Sequence, residues 1–355
     1  LYYTVKDLIN FHTAVKSSPL VVLSGLSGTG KSQLVWCYAK ALGLEKESLK
    51  MIPVRPNWSD DSDLIGFVDS MHSVYRPDDA GFVNTLIEAS KAENQDKLYL
   101  ICFDEMNLAR VEHYFSQFLS ILEMPEQNRF LKLYAKEYET RLYNVDKYPS
   151  SVKIGNNLRF IGTVNMDEST FHFSDKVLDR ANVIQLDLVP YTEWRVGEGK
   201  KAEPEQTEPG QTENEVWSYK KYGELVKELD LEKDILSARE REFLWKVHIT
   251  LNGCSKTLGV GPRILKQIAK YLINLPKTES EEAISRREGF DIQFVQRVLT
   301  KVRGQKEQLY DIFDENVKTS LPKLFEEYSD ISDFEKSKKM LEVKKREIEN
   351  YGYTL

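Results

Sequence analysis

The sequence lacks the residue patterns that mark several broad classes of protein. It has only three cysteines, Cys37, Cys102 and Cys254, and neither these nor its five histidines have the spacing of a metal site or a disulfide framework. We therefore expect three buried free thiols in a cytoplasmic protein. No apolar run approaches the ~20 residues that a membrane-spanning helix requires, so we expect no association with a membrane.

The chain also lacks an excess of basic residues. Lysine and arginine together number 49 against 56 aspartates and glutamates, which gives a formal net charge of −7. A domain that mainly grips nucleic acid is usually basic, so this balance argues against such a domain and leaves room only for a small basic patch. There is no signal peptide, and the chain begins at Leu1 without a start methionine. We expect a further domain to precede it in the full-length protein.

Short apolar runs alternate with stretches of helical periodicity in the first half of the chain. This alternation predicts an α/β fold in which helices flank both faces of a parallel sheet. We assign this domain to residues 1–194, with a first helix over 4–16. The strands are predicted at 20–23, 51–54, 98–103, 158–164 and 181–188.

The second half of the chain has a different composition. Residues 195–215 are rich in glycine, proline and glutamate and almost devoid of apolar side chains, which predicts a flexible acidic linker or loop. Residues 216–355 have heptad-like apolar spacing and no convincing strand pattern. We expect an all-helical domain there, ending in a charged helix over about 333–350.

A glycine-rich run lies between the first predicted strand and a predicted helix over 32–42. It matches the P-loop pattern GxxxxGK[ST] in full, and its residues are Gly25, Leu26, Ser27, Gly28, Thr29, Gly30, Lys31 and Ser32. Glycine lets successive N–H groups turn toward phosphates, and the helix adds its positive N-terminal end. We expect Lys31 to reach the β- and γ-phosphates and Ser32 to hold Mg²⁺. The alternative is a chance glycine turn, against which the strand and helix on either side argue.

Two acidic residues end the predicted strand at 98–103. In a parallel sheet the strand C-termini face the ligand crevice, so Asp104 is placed to complete the Mg²⁺ shell. Glu105 is placed to take a proton from an attacking water molecule. The alternative is a solvated strand end that leads into a predicted helix over 107–122. The complete P-loop upstream favours hydrolysis.

Three further polar residues are candidates for the same site. Asn165 ends the next predicted strand, where a neutral amide can orient the lytic water or touch the γ-phosphate; the alternative is a cap or turn residue. Arg180 ends a predicted helix over 175–180 and is a candidate arginine finger supplied to a neighbouring subunit, or else an ordinary surface arginine. Arg263, in Gly261-Pro262-Arg263, could contact the γ-phosphate from the helical domain, or be a surface residue after proline.

These features, in this order, resemble the AAA+ ATPase superfamily over about residues 1–300. Within it the chain looks most like the McrB family, the nucleotide-driven motor subunits of modification-dependent restriction systems. Asp104-Glu105-Met106-Asn107-Leu108-Ala109-Arg110 and the run from Tyr75-Arg76-Pro77 to Gly81-Phe82 resemble McrB runs. Asp63-Leu64-Ile65-Gly66 is similar to a segment of MoxR-like and dynein-related members, and residues 130–157 resemble a hairpin insertion of this clade.

One position departs from the McrB pattern. The family carries Asn-x-x-Asp where this chain has Asn165-Met166-Asp167-Glu168. Glu168 therefore replaces the family's aspartate, and the neighbouring Asp167 is a second candidate for that carboxylate.

The resemblance implies more than the residues themselves. It implies a hexameric ring with active sites at subunit boundaries, Mg²⁺ as cofactor, and GTP or ATP as substrate, with GTP favoured. It also implies movement on DNA together with a McrC-like endonuclease, the modified DNA being read mainly by an N-terminal domain outside this chain and by the partner. The chain itself has no nuclease cluster. The alternatives are a MoxR-like ATPase that remodels proteins and a scaffold that binds nucleotide without turnover.

Overall fold

A computed structural model of the chain describes residues 3–44, 46–165, 171–188, 216–230, 235–277 and 282–354. Its strands are β1 (Leu20–Gly25), β2 (Leu49–Pro53), β3 (Phe67–Asp69), β4 (Val74–Arg76), β5 (Tyr99–Asp104), β6 (Phe130–Lys132), β7 (Ser151–Lys153), β8 (Leu158–Asn165), β9 (Ala181–Gln185), β10 (Gly304–Gln305) and β11 (Tyr353–Thr354).

Five of these strands form one sheet in the order β2-β5-β8-β1-β9. β2 pairs with β5, and β5 with β8, in parallel. The first five residues of β5 are all buried, the pattern of a strand covered on both faces. The order places β8, which ends at Asn165, between the P-loop strand and the strand that ends at Asp104. The predicted parallel α/β sheet is confirmed.

Helices border this sheet and continue through the C-terminal region. They are α1 (Val5–Ser17), α2 (Lys31–Ala41), α3 (Ser62–Ile65), α4 (Phe82–Ser90), α5 (Val111–Tyr114), α6 (Ser116–Ile121), α7 (Asp175–Leu178), α8 (Tyr219–Glu224), α9 (Ala238–Cys254), α10 (Pro262–Ile273), α11 (Arg286–Arg297), α12 (Lys306–Phe313), α13 (Leu321–Glu327) and α14 (Glu335–Tyr351). Phe82 of α4 and Phe115 before α6 both pack on Phe103 of β5, with ring centroids 5.6 and 5.0 Å away. The aromatic side chains thus fix helices on the sheet.

Two hairpins interrupt the alternation of strands and helices. β3 pairs with β4, and β6 pairs with β7, in antiparallel fashion. The second pair lies in the insertion predicted at 130–157. The single helix predicted over 107–122 is wrong, because a 3-10 turn at Met106–Leu108 and an extended Ala109 precede two short helices.

The described residues divide into two compact units that interleave along the chain. The first unit contains the described residues within Leu1–Thr4, Val22–Phe173 and Gln185–Glu224. The second unit contains the described residues within Val5–Val21, Ser174–Ile184 and Leu225–Leu355. The sequence predicts consecutive domains instead. α1 belongs to the second unit because its Asn10 accepts a hydrogen bond of 2.8 Å from the hydroxyl of Tyr271 on α10. The predicted linker 195–215 lies outside the described residues.

The second unit is mainly helical, with clear helix start signals. Ser237 and Glu240 form a reciprocal capping box at α9, and Pro262 occupies the first turn of α10. The prediction of an all-helical region needs a correction: β10 and β11 pair in antiparallel fashion. Gly352, at a φ of 79°, ends α14 and turns the chain back into this pair.

The structure also bears on the expected burial of the cysteines and on the search for a membrane-spanning helix. Cys102 is buried, but Cys37 is exposed and Cys254 is half-buried, so the expectation of three buried thiols is wrong for those two. Cys37 lies on the solvent side of α2, where apolar neighbours in the sequence do not cover it. Among the described residues, no helix combines the length and the apolar content needed to cross a membrane.

Candidate functional site

The glycine-rich run forms a tight loop between β1 and α2 in the first unit. Gly28 and Gly30 have φ values of 81° and 88°, the left-handed region that glycine adopts at little cost. A Cβ atom at Gly25 would lie 2.8 Å from the carbonyl oxygen of Leu186, so this position also excludes a side chain. Leu26, Ser27 and Gly28 are exposed, which leaves the outer face of the loop open to a ligand.

Lys31 points into the curve of this loop. Only 6% of Lys31 is exposed, and its Nζ donates hydrogen bonds to the carbonyl oxygens of Gly25 at 3.0 Å and Leu26 at 2.8 Å. Thr29 Oγ1 donates to the same Leu26 oxygen at 2.9 Å. Tyr3 Oη donates to the carbonyl oxygen of Gly30 at 2.7 Å from the other side. The loop therefore concentrates a positive charge beside the N-terminus of α2, the arrangement that binds phosphate.

The first acidic residue is joined to the P-loop helix. Asp104 Oδ1 accepts a hydrogen bond from Ser32 Oγ at 2.6 Å and a second from Thr163 Oγ1 at 2.7 Å. Because Ser32 gives its hydrogen to Asp104, the lone pairs of Ser32 Oγ remain available to a cation. Hydroxyl and carboxylate oxygens are ligands that Mg²⁺ prefers, so Ser32 and Asp104 fit this ion.

The second acidic residue has an unusual main chain. Glu105 has a φ of 53° and a ψ of 49°, a left-handed conformation that costs a residue with a Cβ roughly 1–2 kcal/mol. Two contacts to β8 hold it: its N–H donates to Thr163 Oγ1 at 2.9 Å, and its Oε1 accepts from Asn165 Nδ2 at 3.0 Å. The side chain is exposed at the end of the strand, where a water molecule can reach it.

Thr163 is a residue that the sequence analysis missed. It lies two residues before Asn165 on the same strand, so both side chains point to the same face of the sheet. That spacing is the sequence signal that could have identified it. Its single hydroxyl contacts both acidic residues, which makes it the centre of the hydrogen-bond network.

The two residues after Glu105 secure the same strand end. Met106 is fully buried and covers Gly162 so closely that a Cβ atom there would lie 2.5 Å from the Met106 sulfur. Asn107 Nδ2 donates to the carbonyl oxygen of Asn165 at 2.9 Å. The run from Asp104 to Asn107 therefore fixes the ends of β5 and β8 against each other.

The other runs that carry the McrB and MoxR resemblance build the first hairpin and its exit. The Tyr75 hydroxyl, which is buried, donates to the carbonyl oxygen of Ile65. Asp78 accepts from the N–H groups of Phe82 at 2.7 Å and Val83 at 2.8 Å, which caps α4. Burial raises the pKa of the Asp78 carboxyl. These contacts are structural and lie within the first unit.

The remaining predicted site residues are not all in this unit. Arg180 and Arg263 belong to the second unit, where Arg180 Nη1 donates to the carbonyl oxygen of Lys176 at 2.6 Å and Arg263 lies in the first turn of α10. Asp167 and Glu168 lie outside the described residues. The structure thus gathers the P-loop, Asp104, Glu105 and Asn165, while the roles assigned to all these residues stay predictions.

Comparison with known proteins gives one family model and weak structural likenesses. Residues 214–353 match the model described as Domain of unknown function (DUF8727), which spans less than half of the chain. No protein with a curated description matches. A crystal structure from Cytophaga hutchinsonii ATCC 33406, provisionally described as an ATPase, is similar over 82% of this chain and 81% of its own, with 15% identity and a TM-score of 0.45. NtrX from Brucella abortus in complex with ADP is similar over 92% of this chain and 67% of its own, with 11% identity and a TM-score of 0.31.

Proposed function

We propose that this chain is a P-loop nucleoside triphosphatase of the AAA+ type. The observation that carries the proposal is the contact of 2.6 Å between Ser32, at the start of the P-loop helix, and Asp104, at the end of β5. This contact and those of Thr163 join the P-loop helix, Asp104 and the exposed Glu105 in one hydrogen-bonded network, which supports the proposal. Such a network contains the chemical groups that hydrolysis of a phosphoanhydride bond requires.

Each residue of this network has a separate task in the proposed reaction. The N–H groups of the loop bind the phosphates, and Lys31 exchanges the carbonyl oxygens of Gly25 and Leu26 for phosphate oxygens. Ser32 and Asp104 hold Mg²⁺, which supplies neutralisation of the phosphate charge when bound. Glu105 accepts a proton from the attacking water molecule, and Asn165 orients the Glu105 carboxylate through its amide group.

The finer assignment is a McrB-like motor subunit. Its support is the resemblance of the runs at 104–110 and 75–82, and in it GTP is favoured over ATP. Copies of the chain assemble into a hexameric ring in which Arg180 of one copy contacts the transferred phosphate in the site of the next. Hydrolysis drives movement on DNA together with a McrC-like endonuclease. Asp167 or Glu168 assists hydrolysis, and Arg263 contacts the γ-phosphate.

A MoxR-like ATPase that remodels proteins is the second candidate. Its support is the segment Asp63-Leu64-Ile65-Gly66, which leads into the β3–β4 hairpin and resembles MoxR-like members. In this case ATP is preferred, and neither DNA nor a nuclease changes the rate of turnover.

Substitution of Glu105 by glutamine tests the proposed chemistry. The amide keeps the shape of the side chain but cannot accept the proton, so turnover should fall by about 10²–10⁴-fold while nucleotide affinity is retained. The matched control is Glu93→Gln, which changes an exposed glutamate of the same unit. Phosphate release and equilibrium binding of a fluorescent nucleotide are measured side by side for both variants. Unchanged turnover in Glu105→Gln would remove this residue from the reaction.

The same assay separates the finer assignments. Phosphate release is measured with GTP and with ATP, alone, with DNA and with the protein encoded next to this one. Preference for GTP and stimulation by DNA and a nuclease partner support the McrB-like motor. Preference for ATP with no such stimulation supports the remodelling ATPase, and binding without any turnover in the assembled complex supports a nucleotide-bound scaffold.

A further inference from the structure

The segment that carries Arg180 is held on its N-terminal side by side chains from later in the chain. Arg303 Nη2 forms an ion pair of 2.6 Å with Asp175, the first residue of α7. The Lys301 ammonium group pairs with the carboxylate of Asp179, the residue immediately before Arg180. Gln267 on α10 donates to the carbonyl oxygen of Asp179 at 3.3 Å. Both the side chains and the main chain of the residues just before Arg180 are therefore held in place.

The same segment is tied on its C-terminal side, and these contacts come from α11. Arg297 Nη1 donates to the carbonyl oxygen of Ala181, the residue after Arg180, at 3.0 Å. Asn182 donates to Gln296 Oε1 at 2.7 Å and accepts from Gln293 Nε2 at 3.1 Å. All of these residues lie in the second unit, so Arg180 is bracketed by ion pairs and hydrogen bonds within its own unit.

Burial of the charged Arg297 side chain costs desolvation free energy that an apolar residue filling the same space would not cost. It is 1% exposed, and its guanidinium donates to three uncharged oxygens, those of Ala181, Ser18 and Gln293. Burial lowers the pKa of Arg297 to about 9, which reflects the cost of holding its charge away from water. Apolar side chains of similar volume are often as stable or more stable at such sites. Stability alone therefore does not account for an arginine here.

We propose that Arg297, with Gln293 and Gln296, positions Arg180 for its contact with the transferred phosphate in a neighbouring copy. The inference rests on the proposed function, in which Arg180 is that contact. Because α11 holds the two residues that follow Arg180, Ala181 and Asn182, a shift of α11 shifts the arginine with it. The rate of hydrolysis in one copy then depends on the helical region of the next copy. Arg297 is a positioning residue and does not itself contact the nucleotide.

The test is a double-mutant cycle in the full-length chain. Arg180→Ala should lower kcat by about 10³-fold, as expected for the loss of an arginine finger. Arg297→Met should lower kcat by about 10–100-fold at unchanged KM, because a misplaced catalytic group loses part of its effect. In the Arg180→Ala background, Arg297→Met should cause no further loss, since the group that it positions is already absent. Arg297→Lys should recover part of the rate.

The matched control is Arg287→Gln on the same helix. Arg287 pairs with Asp333 at 2.9 Å and donates to the carbonyl oxygens of Ser329 and Asp330, none of which belongs to the Arg180 segment, so its loss should leave kcat within about twofold. Thermal unfolding and nucleotide binding are measured for every variant. If Arg297→Met fails to fold, Gln296→Met, which removes the acceptor of the 2.7 Å hydrogen bond from Asn182, takes its place in the cycle.

The outcomes separate this inference from the proposed function. Additive losses in the double variant, or an equal loss in Arg287→Gln, would overturn the positioning role. If Arg180→Ala keeps full activity while Glu105→Gln is inactive, hydrolysis stands and the inference fails. If the unchanged chain binds nucleotide but releases no phosphate in any of these assays, the proposed function itself fails.

Discussion

Replacement of Thr163 by valine removes one hydroxyl group from the centre of the candidate site and changes little else. Valine has nearly the same shape as threonine, and Thr163 is 1% exposed, so packing is preserved. Two hydrogen bonds are lost, the one donated to Asp104 Oδ1 at 2.7 Å and the one accepted from the Glu105 N–H at 2.9 Å. Both acidic residues lose a contact through a single change.

The expected cost follows from the nature of these bonds. The bond to the Asp104 carboxylate is worth about 1.5–3 kcal/mol, and leaving the partly buried Glu105 N–H unpaired costs about 1–3 kcal/mol. Because Glu105 also has a left-handed main chain, it relaxes more readily once this N–H is released. We expect the free energy of unfolding to fall by about 2.5–4 kcal/mol, the lower part of the combined range, because both hydrogen bonds are only partly buried. We expect turnover to fall by about tenfold or more, since each 1.4 kcal/mol in the barrier is a factor of ten.

The assay compares Thr163→Val with Thr163→Ser, which keeps the hydroxyl group and loses only a methyl group. Phosphate release, nucleotide affinity and urea unfolding are measured for both variants and for the unchanged chain. Thr163→Ser should recover most of the turnover if the hydroxyl network is responsible. Turnover and an unfolding midpoint in Thr163→Val equal to those of the unchanged chain would refute the reasoning, because the two bonds would then hold nothing in place.

Two further predictions concern stability. Gly66→Ala should lower the melting temperature, because Gly66 has a φ of 86° and a Cβ there would lie 2.1 Å from the Arg76 carbonyl oxygen. The control is Gly223→Ala in α8, where an added Cβ would meet no atom within 4 Å, so the melting temperature should stay unchanged or rise. The reverse order in thermal unfolding would contradict this account. Burial, followed by the charge of Lys16, lowers the pKa of His12 from 6.5 to about 4. Between these pH values the unfolded chain binds a proton at His12 that the folded chain does not bind. The free energy of unfolding should therefore fall by up to about 3 kcal/mol as the pH drops from 6.5 to 4. Urea unfolding at several pH values should show a shallower loss for His12→Gln, and equal slopes would exclude His12 as the cause.

The strands of the sheet could be predicted because their signals are local. β5 is a continuous apolar run that ends on Asp104. Its six consecutive residues are enough to predict both its burial and its polar end. The P-loop is equally local, since the residue types at Gly25, Gly30, Lys31 and Ser32 are required by the turn and by the phosphate. Where a short stretch of chain decides the structure, the sequence is sufficient.

The division into units could not be predicted because it depends on distant contacts. α1 precedes the P-loop strand, and its apolar spacing fits either unit equally well. Its place is decided by partners such as Tyr271, which is 261 positions from Asn10, and by Asn274, whose carbonyl oxygen accepts from Lys16 Nζ at 3.0 Å. No periodicity within α1 contains that information. The same holds for the Arg180 segment, whose partners on α11 lie more than 100 positions away.

Asn165 shows that a sequence can single out a residue while only the structure shows what its side chain contacts. The sequence argues for a neutral amide at this strand end because it can orient the lytic water or touch the γ-phosphate. The structure adds a second reason, since the amide nitrogen lies 3.0 Å from Glu105 Oε1 and donates to it. An aspartate at this position would place two negative charges in contact, which would raise the energy of ionised Glu105 and displace its side chain. Together with the Thr163 hydroxyl on the Glu105 main chain, the amide therefore fixes the direction of a carboxylate that is otherwise exposed and mobile.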